Sequence, residues 1–239
     1  MSIPMRLALF LLLASSAASA QPQFVVHAHL GLDQHDGLMG VGLWQANEAE
    51  AFDARGISVE ATDAFPSHVS TDVSVGVRFP RFEVGLSGGY GSTGGRLAYS
   101  DYSGSMVVER IAERTRLGAY VAAVPLTAGP VNLGGGAKIA LSRTTVSYDR
   151  LVLLGEDRVE SVTTDLTATP LSLEPFVHAQ VRLFGPVRGS ARVGYELAQA
   201  SELTDLDTLP AEAARGPARV GWSGLRTHAG LSIQLGSGS

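Results

Sequence analysis

The chain has no cysteine in 239 residues. That absence removes disulfide scaffolds, thiol nucleophiles and cysteine metal sites, and leaves no thiol to carry a lipid anchor. Beyond the first 20 residues no stretch offers the ~20 consecutive apolar residues that a spanning helix needs. Basic residues are also scarce. Eighteen Lys+Arg stand against 23 Asp+Glu, a net charge of −5, and Lys138 is the one lysine. An acidic chain without a basic tract is a poor candidate for nucleic-acid binding, so no such partner is expected.

Of what is present, the N-terminus reads first. MSIPMRLALFLLLASSAASA carries Arg6, an apolar run from Leu7 to Leu13, and Ala18-Ser19-Ala20 before Gln21. The run is too short to span a bilayer, and the small residues mark a cleavage site. Residues 1–20 are therefore expected to be a signal peptide, and residues 21–239 one exported domain.

The strongest signal in that domain is alternation. Phe24, Val26, Ala28, Leu30 and Leu32 share one parity, with His27, His29, Gly31 and Asp33 on the other. Val69, Thr71, Val73, Val75 and Val77 alternate likewise with His68, Ser70, Asp72, Ser74, Gly76 and Arg78. A period of two puts one set on each face of a strand. Eight strands follow, at Gln23–Asp33, His68–Phe79, Phe82–Gly91, Thr115–Pro125, Val131–Ser142, Leu171–Phe184, Val187–Ala198 and Leu225–Leu235. Most approach the ~9–11 residues that a tilted strand needs to cross a hydrocarbon core. Pro80-Arg81, Leu126–Pro130 and Gly185-Pro186 make tight turns. Between them lie long segments at 34–67, 92–114, 143–170 and 199–224. This asymmetry predicts an all-β fold, an eight-stranded antiparallel up-and-down transmembrane barrel with its short turns in the periplasm.

A soluble barrel would place the apolar parity inside and the polar parity in water. Three features speak against it. The less apolar face is rich in glycine and serine, the apolar face is nearly free of charge, and the anions concentrate in the long segments. Two places fit less well. Pro170 and Pro175 suggest a bulge at the start of the sixth strand, or one that pairs only below Pro175. Val220 and Trp222 conflict in parity with Thr227, Ala229 and Leu231, suggesting a bulge near Gly224.

Two long segments read as hairpins about Asp101–Gly104 and Gly155–Asp157, and Trp44–Arg55 is rich in helix formers. Leu97, Tyr99, Val107, Val152, Leu154, Val159 and Val162 are more apolar than solvated loops require. They suggest one sheet above the membrane with edges open to a partner strand.

With this architecture, and with the last strand His228-Ala229-Gly230-Leu231-Ser232-Ile233-Gln234-Leu235, the chain resembles the small eight-stranded outer-membrane barrels of the OmpX and OmpA-transmembrane-domain type. Within that strand His228, Gly230, Ile233 and Leu235 match the C-terminal insertion signal of the class. Leu235 replaces the usual terminal aromatic, and Gly236–Ser239 trails behind it. The resemblance implies a bacterial outer-membrane location and insertion by the outer-membrane assembly machinery. It also implies contact with outer-membrane lipid and lipopolysaccharide, and a monomer that binds a surface ligand through its loops.

The inward parity carries Arg78, Glu83, Arg116, Lys138, Glu174, Arg182, Arg188, Arg192, Glu196 and Arg226. Eight strands enclose only enough room for side chains, so these charges are expected to pair as a polar plug, with Arg78 opposite Glu83. His27, His29, His178 and His228 share that parity, but hydrogen bonding is expected of them and no metal site. Glu202, Asp205 and Asp207 lack the ligand spacing of a calcium loop. No cofactor is expected. The competing class is a lipid A-modifying acyl hydrolase or transferase, since enzymes exist on barrels of this size. No His-x-Ser occurs, and His35 near Asp33 and Asp36, or Ser232, would have to serve. The sequence therefore predicts a non-enzymatic protein with a structural or adhesion-like role.

Overall fold

Alternating β-branched and small residues fold here into long antiparallel strands. The computed structural model describes residues 21–35, 41–54, 58–101, 104–154, 157–204 and 219–236. The leader expected at 1–20 lies outside them. In chain order the elements are β1 (Gln23–His35), α1 (Val41–Asp53), β2 (Glu60–Ala64), β3 (His68–Arg78), β4 (Phe82–Ser100), β5 (Gly104–Ala128) and β6 (Val131–Leu154). They continue with β7 (Asp157–Ala168), β8 (Leu171–Phe184), β9 (Val187–Ala198), β10 (Ser201–Glu202), β11 (Arg219–Val220) and β12 (Gly224–Leu235). Eight of the strands are staves of a barrel, in the order β4-β3-β1-β12-β9-β8-β6-β5. Pairing of β4 with β5 closes the ring.

Register decides what each face carries, because a slip of one residue would turn every side chain over. Val26 stands opposite Val75 on β3 and Ile233 on β12. Leu30, Val73, Leu86, Leu117, Ile139, Leu173, Val193 and Leu231, one per stave, all point outward and are exposed, Leu117 to 70%. The buried residues include Arg116, Lys138, Glu174, Glu196 and Arg226. The barrel is thus inside-out relative to a water-soluble one, with an uninterrupted apolar exterior far beyond what a soluble surface tolerates. Phe24 and Phe184 ring the short-turn end, and Tyr90 and Tyr195 stand toward the other, as in the aromatic girdles of membrane barrels. No described helix is long and apolar enough to cross a membrane.

The short turns follow their residues. Phe79 N–H donates to Phe82 O at 2.8 Å across Pro80-Arg81. Gly129 and Gly185 have φ of 61° and 50°, each just before a proline. A positive φ followed by a fixed negative one is the order of a two-residue II′ hairpin turn.

Neither expected bulge forms. On the β6 side of β8 the ladder runs in register through Pro175, opposite Ala137. On the β9 side the pairing skips from Leu173↔Leu197 to Phe176↔Gly194 without a shift. An antiparallel residue directs its N–H and C=O to one neighbour only, so the proline gap stays on one side. The ladders of β12 are likewise unbroken from Gly224 onward. Val220 and Trp222 share the inward parity of Arg226, and both are buried in an apolar cluster with Phe65, Ala112, Val146 and Leu166. Their parity conflict marks a change in what the interior contains. Register shifts occur instead between Ala123 and Leu126, and between Arg182 and Phe184.

At the other end the staves outrun the barrel. β4, β5 and β6 have 19, 25 and 24 residues, well beyond the ~9–11 that cross a bilayer core. β8 pairs with the lower half of β6 and β7 with the upper half, so β4, β5, β6 and β7 continue as a sheet above the ring. The two expected hairpins are there, although residues 102–103 and 155–156 lie outside the described ones. β2 pairs along the extension of β4. The expected helix in the first long segment is α1, which begins before Trp44 and ends before Arg55.

Candidate functional site

Inward parity on eight closed staves brings the polar residues into one network in the lumen. Nearest the short turns, Arg78 faces Glu83 in register, Nε to Oε2 at 3.3 Å. His27 Nε2 and the Tyr120 hydroxyl both reach Glu83 Oε1 at 2.7 Å. Midway up, fully buried Asp72 is the hub. Lys138 Nζ lies 2.6 Å from it, Arg116 2.8 Å and Arg192 3.2 Å. Glu174 lies 3.1 Å from Arg116 and 3.6 Å from Arg192. Above, Glu196 takes Arg226 at 2.6 Å and Arg114 at 2.9 Å, while Asp33 takes Arg226 at 2.6 Å and His228 at 3.3 Å. Asp33, Asp72, Glu174 and Glu196 are each shared by two or more Arg or Lys cations. Isolated charges at such depth would cost several kcal/mol, and shared pairing offsets that cost.

Eight of the ten residues expected on the inner face join this network. Arg182 and Arg188 do not. They are register partners on the last rungs before Gly185-Pro186, so the turn places them at the mouth, with Arg182 exposed. Besides the histidines, five further residues join the network: Asp33, Asp72, Arg114, Tyr120 and Trp222. Asp33, Asp72 and Tyr120 carry the right parity in the sequence. Arg114 and Trp222 fall in the long segments, and extending the parity of Arg116 back two residues, or that of Arg226 back four, recovers them. Of the histidines, His27 and His29 stack with ring centroids 5.8 Å apart, and His29 Nε2 contacts Ser190 Oγ at 2.8 Å. His68 also faces inward, edge-on to Trp222 at 5.5 Å. No group of three or more histidines and carboxylates among the described residues is arranged to hold a metal ion. Of the acidic cluster considered for divalent cations, Asp205 and Asp207 lie outside the described residues, and Glu202 pairs with Arg219 at 3.0 Å.

Small residues make the network fit. A Cβ on Gly31 would sit 2.6 Å from His228 Nδ1, and one on Gly76 2.5 Å from the Tyr120 hydroxyl. In the expected insertion signal, His228 belongs to the lumen, Gly230 pairs with His29, and Ile233 and Leu235 point outward.

The space left in the lower lumen is a cavity of about 40 Å³ bounded by His27, His29, Glu83, Tyr120, His178 and Gln180. That holds a few water molecules. Buried Arg116, Lys138, Arg192 and Arg226 fill the section above it. Planar-bilayer recordings from the purified protein should therefore show no steady channels, because eight strands enclose only enough space for side chains. Sustained conductance would mean that the pairs open.

Above the charged lumen lies a lid. Arg114 stacks on Trp222 with its guanidinium 4.5 Å from the ring, and Trp222 Nε1 donates to Thr144 Oγ1 at 2.9 Å. A second apolar cluster of Phe52, Leu97, Met106, Val108 and Tyr148 sits between α1 and the sheet extension, with Tyr99, Val152 and Val162 packed against it. The expected continuous sheet is there, but Leu97, Tyr99, Val152 and Val162 do not lie on an open face of it, because helix α1 covers that face. β2 occupies the edge of β4, while the outer edge of β7 pairs with no strand among the described residues beyond the single bridge Thr167↔Thr204. Leu154 and Val159 lie outside the described side chains. Arg110 pairs with Glu48 of α1 beside Tyr148. Burial pushes its guanidinium down to about 10, which still leaves it charged at neutral pH.

The lumen and lid define the class: a closed eight-stranded antiparallel barrel, apolar outside and ion-paired inside, with an ordered cap at one end. No protein-family model and no curated protein matches the chain. Solved structures of similar fold include neisserial surface protein A, with 13% identity, a TM-score of 0.39, and coverage of 90% of this chain and 99% of that one. Ail, the attachment invasion locus protein of Yersinia pestis, is 12% identical with a TM-score of 0.37, covering 90% of this chain and 97% of its own. Ail in complex with the heparin analogue sucrose octasulfate gives 10% identity and a TM-score of 0.36. At these values the likeness is one of general fold, and the barrel assignment stands on this chain's own strand pairings.

Proposed function

We propose that this chain is a non-enzymatic integral protein of the bacterial outer membrane whose ordered cap binds a ligand at the cell surface. The observation that carries the reading is the inside-out barrel: its outward face is apolar on every stave, and only a lipid environment makes that arrangement favourable. The leader at 1–20 would deliver the chain to the periplasm, and β12 would present the signal to the outer-membrane assembly machinery. Short turns would then face the periplasm, and the cap would stand among lipopolysaccharide. The self-contained polar interior suits a monomer.

A structural role alone would not need a folded cap. The cap has its own apolar core, and a groove of about 500 Å³ crosses the outer face of the sheet extension beside Arg96, Val107, Glu109, Asp149, Leu151 and Leu153. An apolar floor with charged margins suits a binding surface. The reading favours adhesion over lipid A chemistry because the residues available for the latter are badly placed. Ser232 is fully buried in the lumen, and the His29–Ser190 contact adjoins a cavity too small for an acyl chain; the His35 side chain and Asp36 lie outside the described residues.

Replacing residues 96–109 and 150–163 by tight turns should abolish attachment of producing cells to host cells or matrix, with the barrel still folded by circular dichroism. Lipid A from producing and non-producing cells should have the same mass. Attachment that survives the trimming sinks the binding role, and a changed acyl count gives the decision to the enzyme.

A further inference from the structure

The short-turn mouth of the barrel carries arginines that the lumenal network does not neutralise. Arg182 on β8 and Arg188 on β9 stand directly opposite each other, on the inward parity. Like charges in that relation repel. Arg78 is the last residue of β3, two positions before Pro80, and so stands at the same end of the barrel. The carboxylate at this level, Glu83, is already engaged by Arg78, His27 and Tyr120. Among the described residues the side chains of Arg182 and Arg188 have no hydrogen-bond or ion-pair partner.

A second observation is independent of charge. Polar groups near the same mouth are buried with no partner among the described residues: Ser232 Oγ, Gln234 Nε2 and Arg78 Nη2. Ser232 is fully buried and stands opposite Arg188 in the β12–β9 ladder. Arg78 is only 8% exposed. Unsatisfied donors at that depth are costly, and these lie on β3 and β12 at the same end of the barrel as Arg182 of β8 and Arg188 of β9.

We propose that this mouth binds a tetrahedral oxyanion of the phosphate type. Arg182 and Arg188 grip it from one side, and Arg78, Ser232 and Gln234 donate to it from the lumen. The planar fork of a guanidinium matches two phosphate oxygens at once, and an anion between the two arginines turns a repulsive pair into an attractive clamp. The anion is free phosphate or the net negative headgroup of an anionic phospholipid in the facing leaflet, as distinct from a zwitterionic one. Only the second source rests on the membrane reading given above.

The test follows thermal unfolding of the purified chain in two settings. In neutral detergent, inorganic phosphate is titrated against chloride at constant ionic strength. In nanodiscs, phosphatidylcholine is compared with and without phosphatidylglycerol. The expected result is a rise in the unfolding midpoint with phosphate or with phosphatidylglycerol, and an apparent affinity at least ~10-fold weaker in Arg188→Gln. Arg182→Gln relieves the repulsion, so its midpoint should rise in chloride alone while its gain from the anion falls. An arginine with a purely structural role would not give that reversal. A gain in detergent identifies the free anion, and a gain confined to phosphatidylglycerol identifies the headgroup. No gain over chloride in either setting, or a gain in both variants as large as that of the unaltered chain, overturns the proposal. A phosphate gain in detergent from a chain that fails to insert into vesicles supports the site and sinks the membrane reading instead.

Discussion

Asp72→Asn should destabilise the barrel by about 3–5 kcal/mol, the range for removing one partner from a buried charge cluster. Asp72 is fully buried on β3 and holds Lys138, Arg116 and Arg192 at 2.6, 2.8 and 3.2 Å. Asparagine keeps the volume but removes the charge, leaving these three cations to share Glu174, with Arg116 alone also reaching Glu196. Reversible unfolding by urea in lipid vesicles reads the loss directly. Adding Lys138→Gln should recover part of it, since one cation leaves with the carboxylate and the two sites are coupled. Glu202→Gln is the contrast, because its pair with Arg219 is 55% exposed on both sides and should be worth about 0–1 kcal/mol. A loss below ~1 kcal/mol for Asp72→Asn would show that the lumenal pairs fill space without stabilising the fold.

Val75→Arg tests the exterior as Asp72→Asn tests the interior. Val75 points outward from β3, flanked in register by Val26 and Leu86. An arginine on the lipid face costs roughly 2–4 kcal/mol near the midplane and less toward the interface. Ser74 is one residue away and buried in the lumen, on the cavity beside His27 and Glu83. Ser74→Asn adds a polar group small enough for that cavity, and its loss on folding into vesicles should be the smaller of the two. Equal losses would mean that the two faces do not differ in the way the register requires, and the apolar surface would need another explanation.

The two variants mark the boundary between what was legible in the chain and what was not. Period-two alternation, proline and glycine turns and the four long segments were enough to place eight strands, most of them within a residue or two at the short-turn ends. They also gave the parity of Arg78, Glu83, Arg116, Lys138, Glu174, Arg192, Glu196 and Arg226. Those are local properties: a strand's side chains alternate whatever its neighbours do. Which charge meets which depends on residues far apart in the chain, such as Asp72 with Lys138 and Asp33 with Arg226, and therefore on register and closure. Parity cannot rank heights within the lumen, so Arg182 and Arg188 looked equivalent to Arg192 until the Gly185-Pro186 turn placed them at the rim.

The cap was the least legible part. Its hairpins announced themselves by alternation, but Leu97, Val152 and Val162 looked like exposed apolar residues because nothing in their own segments covers them. The cover is α1, more than 40 residues before Leu97 in the chain, and its packing decides that these side chains form a core. Local pattern is enough for an eight-stranded barrel with a polar inner face. How the charges pair, which arginines remain unpaired and what the long segments bury follow from the folded ring. Pairing and burial depend on distances across the closed ring, and no local pattern records them.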